Sequence, residues 1–495
     1  MRRRLFALVA LLAIGGAGCG FPGMAGVERP PVPTPRVVSQ ADPRYDGTTT
    51  VMPSGATGVE VRHAEPVRPG RRLHAVYPDV PGAGPLTERL KRHAERQVEE
   101  FLNTHPDHAP TGRGTPPAPE LNVGFSFLAL SGDLVGVRQE TSYFNGIEEG
   151  VGARDLWYDR RQRQVHEPAA LFDGDDAVVA VLDEVRRELE SRPEVRLERL
   201  KKTLAEPDQA LRAAAFTRDG DLVVVYEGAE LGTGSGAPVA VRVPKAKVRN
   251  QLSDLGRRAR AQAALPTPPM MPAGLSPVPR MPTPRAEPVP CHEVSCVAIT
   301  FDGGPGPETA RLLEVLGRHK ARATFFVTGA HVSIYGDLLR AAGRAGHQIA
   351  DGTWSHRDLT RLSPGEVRAE LDRTRAAVRA ATGLEARPVR PPYGAVNARV
   401  AANAGGPLIF WTADPAAGRI GGGAQEIADR AIAASGRGAI LVFHESGPET
   451  AAALDRTLRV LSARGHRFVT VSERYAPRRM ADGFTYPERR PAPPP

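Results

Sequence analysis

The chain has 495 residues, a formal net charge of +9 and a hydrophobic content of 41%. Its length exceeds that of one typical domain, and its hydrophobic content excludes a wholly disordered chain. A moderately basic surface suits acidic partners such as anionic lipid headgroups or acidic envelope polymers, although an arginine-rich composition alone would give the same charge. We expect no nucleic-acid partner.

The first element of the sequence is an export signal. Three arginines at positions 2–4 precede an apolar run at residues 5–14, which is too short to span a bilayer. Small residues lead into Cys19, and the sequence GAGC at residues 16–19 resembles the lipobox of bacterial lipoproteins. The resemblance implies a signal peptide over residues 1–19 and a lipid anchor on Cys19, on the outer face of the cell membrane or in the cell wall. Because Gly16 replaces the usual aliphatic residue, an ordinary cleaved signal with an incidental cysteine is the alternative.

Proline-rich segments divide the rest of the chain. Residues 20–55 contain PPVPTPR and are predicted to be a flexible linker. Residues 251–290 hold a longer proline-rich run that favours extended conformation and cannot enter a folded core. Two folded domains are therefore predicted, at residues 56–250 and 291–478, with a disordered tail at residues 479–495.

Residues 56–250 show an α+β pattern. Apolar residues recur at helical spacing over residues 86–101 and 178–189, and apolar runs over residues 125–130 and 222–226 predict strands.

The order of these elements resembles a known extracytoplasmic domain. The matching stretches include Tyr77-Pro78 before the first helix, a hairpin around residues 125–144 and the sequence DLWYD at residues 155–159. Together they resemble the extracytoplasmic domain of lysozyme-sensing anti-sigma factors, which also precedes the catalytic domain of some peptidoglycan deacetylases. The resemblance implies a wall-associated domain, with a protein ligand as one form of that binding. An inert spacer is the alternative.

Cys291 and Cys296 form a close pair at the start of the second domain. In an exported protein such a pair indicates a disulfide. A structural zinc site needs four ligands, and the pair remains one ligand short even with His292 included.

From residue 297 onward the sequence alternates between predicted strands and helices, among them a strand at residues 348–350 and a helix near residues 364–381. This alternation predicts an α/β fold with a parallel sheet wrapped by helices. Reactive residues of such folds lie on loops at the carboxyl ends of strands. Asp302, His356, Asp414 and His444 each follow a predicted strand, so they are the candidates for chemistry.

Ordered motifs over residues 291–478 resemble the NodB-type polysaccharide deacetylase family. They are TFDGGPGPET at residues 300–309, ATFFV at 323–327, TWSH at 353–356, RPPYG at 390–394, WTADP at 411–415 and LVFH at 441–444. The resemblance implies a distorted (β/α) barrel and the removal of an acetyl group from an N-acetylated glycan, such as peptidoglycan or a chitin-like polymer.

The resemblance also assigns roles to four catalytic residues. Asp302 matches the general base that takes a proton from water, and Arg390 matches the arginine that holds this base. His444 matches the general acid that protonates the leaving amine, and Asp414 lies near the position that tunes that acid. Without chemistry, Asp302 would only order its glycine-rich turn, Arg390 would only pair with Asp302, and His444 would be a structural remnant.

The metal site of the family is incomplete in this sequence. Members of the family are expected to hold a divalent metal, zinc, with three protein ligands and an open position that activates water. His356 matches one ligand, but Gly303 and Gly352 stand where the other two are expected. Even the loss of a residue that only orients a ligand lowers affinity or activity about 10–100-fold, so losing two ligands predicts a far larger effect.

Further expectations concern the groove and the overall function. Tyr393 and Trp411 match aromatic residues that bind the sugar, while His356 could also be an ordinary loop histidine. The leading interpretation is an envelope protein that binds N-acetylated glycan with little or no deacetylase activity. The alternatives are an active enzyme with a metal site rebuilt from Asp351 or Glu445, and a protein-binding envelope sensor.

Overall fold

The structure is a computed structural model. It describes residues 39–42, 45–51, 58–64, 72–105, 118–234, 236–264, 289–416, 423–445, 447–476 and 478–487. Cys19 and the predicted signal peptide lie outside the described residues. The described residues belong to one compact unit. We call residues 39–264 the N-terminal block and residues 289–487 the C-terminal block.

An antiparallel sheet with one packed helix forms the first part of the N-terminal block. Its three longest strands form a meander in which each strand pairs with the next, and helix α1 buries Leu86, Leu90 and Val98 against the sheet. The elements are β1 (Ser39–Asp42), β2 (Thr48–Val51), β3 (Glu60–His63), β4 (Arg72–Asp79), α1 (Gly84–Thr104), β5 (Glu120–Leu130), β6 (Leu134–Phe144), β7 (Glu149–Asp159) and β8 (Gln164–His166).

Helices and a small second sheet complete the N-terminal block. Strands β9, β10 and β11 pair antiparallel, and the buried Trp157 and Phe216 belong to the core that these strands share with the helices. The elements are α2 (Asp175–Glu190), α3 (Leu197–Thr203), α4 (Pro207–Ala210), β9 (Ala214–Phe216), β10 (Leu222–Glu227), α5 (Gly228–Leu231), β11 (Pro238–Val243), α6 (Lys245–Val248) and α7 (Asp254–Ala264).

Several predicted boundaries differ from the structure. Strands β1 and β2 fall in the predicted linker at residues 20–55, yet they pair with each other, and β2 pairs with β5. Helix α7 falls in the predicted linker at residues 251–290, yet it buries Leu255 and Ala259 in the core. The predicted disordered tail includes residues 485–486, which form a strand with Leu408 and Ile409. In each case an apolar or backbone contact with a distant segment overrides the local composition.

The C-terminal block has the expected α/β architecture. Strands β14, β13, β12 and β16 pair in that order, all parallel, and β17 also pairs with β12. The elements are β12 (Cys296–Asp302), α8 (Thr309–Arg318), β13 (Thr324–Val327), α9 (Gly329–Val332), α10 (Gly336–Arg344), β14 (Gln348–Asp351), α11 (Pro364–Thr382), α12 (Ala398–Asn403), β15 (Leu408–Ile409), α13 (Ala424–Ala434), β16 (Ile440–His444), α14 (Glu449–Ala463), β17 (Arg467–Val469), α15 (Val471–Tyr475) and β18 (Thr485–Tyr486).

Single-residue bridges continue this sheet beyond its regular strands. Val389 bridges to Asp351 on one side and to Leu408 on the other, and Ala413 bridges to Leu441 of β16. The strands are almost entirely buried because helices cover the sheet, so their interiors are mostly apolar. Asp302, Asp351 and His444 each lie at the last position of a strand.

A disulfide lies at the start of the C-terminal block. Cys291 and Cys296 form a disulfide just before β12, with an S–S distance of 2.07 Å.

None of the helices in the described residues has the length and apolar character needed to cross a membrane.

Candidate functional site

Asp302 and Arg390 form the first ion pair of the site. Asp302 ends β12, and Arg390 Nη1 lies 2.7 Å from Asp302 Oδ1 and 2.7 Å from Thr300 Oγ1. The arginine is buried, and its guanidinium packs 4.0 Å from the centre of the Phe326 ring. Burial lowers the pKa of Arg390, although the Asp302 charge opposes the shift. This arrangement fixes the carboxylate of Asp302, whose side chain remains 16% exposed.

His444 and Asp414 form the second pair. His444 ends β16 directly beside Asp302, because the two residues are partners in the parallel register of β12 and β16. Its Nε2 lies 3.1 Å from Asp414 Oδ2. Burial lowers the pKa of His444, but the hydrogen bond and charge of Asp414 outweigh burial and leave this pKa raised. The pair can therefore hold a proton next to the Asp302 carboxylate, as an acid would.

The two glycines at the expected ligand positions differ in their surroundings. Gly303 has φ +83°, and a Cβ built there would meet no atom within 4 Å. A Cβ on Gly352 would lie 2.9 Å from the backbone carbonyl oxygens of both Phe326 and Val327. A histidine at position 352 therefore requires a shift of the sheet backbone.

His356 is the side chain at the third expected ligand position, and it contacts the imidazole ring of His74. It has φ +60°, and its ring stacks on His74 of the N-terminal block with centroids 4.9 Å apart. The His74 ring also stacks on His331, at 6.2 Å. Burial lowers the pKa of His356 to about 4 and that of His331 to about 3, so both rings are neutral near pH 7. Their Nδ1 atoms have no hydrogen-bond partner among the described residues.

The two carboxylates considered as replacement ligands are engaged elsewhere. Asp351 is buried, accepts the Thr353 N–H at 2.9 Å and lies 3.2 Å from Arg375 Nε. Glu445 accepts the Thr309 hydroxyl, and burial raises its pKa to about 8, so it is protonated at neutral pH. Within the ranges that the structure describes, no three His, Cys, Asp or Glu side chains form a group that could hold a metal ion. The residues present do not fit the expected metal.

The two aromatic groove candidates lie in different environments. Trp411 is partly exposed, near the guanidinium of Arg390. The Tyr393 hydroxyl lies 3.3 Å from Asn122 Oδ1 of the N-terminal block, and its ring meets His356 edge-on at 5.0 Å. The structure thus brings together the predicted site residues between positions 302 and 444, and the N-terminal block covers two of them, His356 and Tyr393.

His74, Asn122 and His331 are contacts of the site that sequence reasoning missed. His74 and Asn122 lie on strands β4 and β5 of the other block, and neither strand carries a motif that points to the site. His331 lies on helix α9, shortly after the ATFFV motif. Its position just after a predicted strand is the one sequence feature that could have indicated a place near the site.

The C-terminal block is similar in sequence to known deacetylases. A family model described as polysaccharide deacetylase matches residues 290–406. The peptidoglycan-N-acetylglucosamine deacetylase PgdA of Listeria monocytogenes is 38% identical over 180 residues, which are 36% of this chain and 38% of that protein. A chitooligosaccharide deacetylase of Rhizobium leguminosarum bv. trifolii is 36% identical over 156 residues, which are 31% of this chain and 72% of that protein.

The chain belongs to the polysaccharide deacetylase family, which confirms the resemblance found in the motifs. A solved structure described as T48 deacetylase with substrate is 32% identical, with a TM-score of 0.39, and covers 40% of this chain and 99% of that one. The match to PgdA spans only 38% of the length of that protein.

Proposed function

We propose that this protein binds N-acetylated glycan in the cell envelope and has little or no metal-dependent deacetylase activity. One observation carries the proposal: the Cβ position of residue 352 is filled by the backbone of β13, 2.9 Å away. A metal-activated hydroxide needs several ligands around one open position. With His356 stacked on His74, Asp302 paired with Arg390 and no group of three ligand side chains within the described residues, water at this site keeps its ordinary acidity.

The retained side chains suit recognition of an acetamido sugar. Asp302 accepts hydrogen bonds, and His444, held by Asp414, donates one when it is protonated. Trp411 offers an aromatic face next to them. These groups lie at the ends of adjacent rigid strands, so they bind a ligand without reorganisation.

The expected location extends the same proposal. The export signal and the lipobox-like residues before Cys19 support a protein anchored on the outer face of the membrane, within reach of the cell wall. We also propose that the bridges through Val389 and Ala413 close the sheet into a distorted barrel, and that the N-terminal block binds the wall or a wall-associated protein.

An active deacetylase is the second candidate. It is favoured by the intact geometry of the acid and base, with 2.7 Å between Arg390 and Asp302 and 3.1 Å between His444 and Asp414. Such an enzyme needs a metal bound by residues that move from their present contacts.

One experiment separates the two candidates. The full chain is incubated with N-acetylglucosamine tetramer, with and without added zinc, while calorimetry measures binding and an enzymatic assay measures acetate. We expect binding without acetate release, and weaker binding for Trp411→Ala. Trp354→Ala is the control that removes a second tryptophan of the same block, whose ring packs against Arg373. Zinc-dependent acetate release would favour the second candidate, and absence of binding in every condition would contradict the first.

A further inference from the structure

The two blocks meet through charged side chains and through an apolar contact of Ile334 and Tyr335 with the N-terminal core. Arg72 forms an ion pair with Asp358, whose side chain is 1% exposed. Glu120 accepts the backbone N–H of Asp358 at 2.8 Å. Arg361 pairs with Glu149 and lies 3.8 Å from Glu120. We call these five residues the seam charges, since each contact joins the N-terminal block to the C-terminal block.

The seam covers one half of the candidate site. His74 inserts its ring against His356, and Asn122 accepts the Tyr393 hydroxyl. The guanidinium of Arg72 lies 5.8 Å from the centre of the Tyr393 ring. The side chains of Asp302 and His444 remain 16% and 25% exposed. All four residues of the two halves are partly exposed, but only His356 and Tyr393 have one side covered by residues of the N-terminal block.

The chemistry of the seam indicates that it can open. Buried charges lose their hydration, and apolar residues of similar size would hold a permanent interface equally well or better. Contacts between domains that are polar permit relative motion of the domains. When the seam opens and the blocks stay joined elsewhere, every seam charge and the His74 ring regain water together. An apolar contact of Ile334 and Tyr335 with the N-terminal core, with the Val61 N–H donating to the Tyr335 hydroxyl at 2.8 Å, still joins the blocks.

We propose that the N-terminal block is an autoinhibitory cap, latched by the seam charges, whose His74 ring fills the half-site around His356 and Tyr393. A glycan that extends from Asp302 and His444 toward His356 takes the place of the His74 ring only after the latch opens. This inference rests on the proposed function for the identity of the ligand. The closure of the half-site itself is independent of that function.

The test uses the full chain with Arg72→Gln and Arg361→Gln combined. This latch variant leaves Asp358, Glu120 and Glu149 without their cations, so they repel each other across the seam. Arg72→Gln alone is the milder variant, should the double variant unfold. Arg379→Gln is the matched control, because Arg379 pairs with Glu385 on the exposed surface of the same block.

Labelling of histidines by diethylpyrocarbonate reports closure directly. Neutral imidazoles react, so the rate at His74 and His356 depends on access, and the exposed His292 serves as the internal standard. In the wild type we expect both residues to react at least roughly tenfold more slowly than His292. In the latch variant both rates should approach that of His292, and the affinity for N-acetylglucosamine tetramer should rise.

Each other outcome overturns the proposal. Rapid labelling of His74 and His356 in the wild type means that the blocks are not closed. Protection that persists in a folded latch variant means that the seam charges are no latch. Labelling that rises while tetramer affinity falls means that the N-terminal block is a wall of the glycan site. If no variant binds the tetramer, the proposed function fails, while the labelling still decides whether the cap exists.

Discussion

A lost ligand side chain and a closed ligand position are different states of a site. At Gly303 the space for a side chain remains, whereas at Gly352 the carbonyl oxygens of Phe326 and Val327 occupy it. The difference matters because the first kind of loss is reversed by one substitution and the second is not.

Substitutions at the two glycines test this difference. Gly352→Ala should lower the free energy of unfolding by about 1–3 kcal/mol, because its Cβ overpacks a sheet backbone. Gly303→Asn should lower it by less than about 1 kcal/mol, because asparagine tolerates the left-handed conformation and meets no neighbour. Urea unfolding measures both. Equal stability of Gly352→Ala and the wild type would show that this corner can readily open.

Arg390 stabilises the fold as well as holding Asp302. Arg390→Met should lower the free energy of unfolding by about 2–3 kcal/mol, because it leaves the partly buried Asp302 carboxylate without its cation. Urea unfolding near pH 7 measures the change. Arg379→Met is the control, and we expect no measurable change since that ion pair is exposed. A loss no greater than that of the control would refute this role.

His347 predicts acid sensitivity in the C-terminal block. Burial lowers its pKa from 6.5 to about 4, and its Nδ1 accepts the Ala323 N–H at 3.2 Å. As the pH falls below 6.5, His347 becomes protonated in the unfolded chain before it does in the folded chain. The contribution of neutral His347 to the stability of the fold is therefore complete above pH 6.5 and disappears as the pH falls to about 4. The contribution reaches about 1.4 kcal/mol per pH unit. Urea unfolding of His347→Gln across this range should show a shallower decline than the wild type, and parallel curves would contradict the assignment.

At the scale of elements, local chemistry made most of the C-terminal block predictable. The predicted helix near residues 364–381 is Pro364–Thr382, and Ser363 and Glu366 form a capping box at its start. The predicted strand at residues 348–350 is Gln348–Asp351. Such elements carry their signal within a few residues. The parallel order then places the strand ends together, which is why Asp302 and His444 could be assigned to one site in advance.

Elements that depend on distant contacts were not predictable. Strands β1 and β2 are short and lie in a proline-containing segment, and only their pairing within the N-terminal sheet defines them. Helix α7 is rich in arginine and precedes a proline-rich run, so composition suggested a linker. Its buried face is visible only against the core of the N-terminal block.

Helix α7 offers a test of its place in the fold. A Cβ on Gly256 would lie 1.9 Å from the Leu171 carbonyl oxygen, so Gly256→Ala should displace the helix and lower the free energy of unfolding by about 2 kcal/mol. Gly365→Ala in α11 meets open space and should stay within about 1 kcal/mol of the wild type. Thermal unfolding compares them. If the two variants melted alike, α7 would not be packed as described.

At the scale of the whole molecule, the meeting of the two blocks is the feature least accessible from sequence. No local pattern relates His74 to His356 or Asn122 to Tyr393, because each pair joins strands and loops more than 200 residues apart. The motifs therefore identified the groove but not its cover. Under the proposed function, a glycan reaches a site that the N-terminal block partly covers.

Zinc content of the purified full chain is the most direct measurement of the central claim, that this member of the deacetylase family cannot hold its catalytic metal. The chain is dialysed against buffer with excess zinc, then against metal-free buffer, and its zinc is measured by mass spectrometry alongside acetate release. The account predicts far less than one zinc per chain and no zinc-dependent acetate. One tightly held zinc per chain, lost in His356→Ala and accompanied by acetate release, would contradict it.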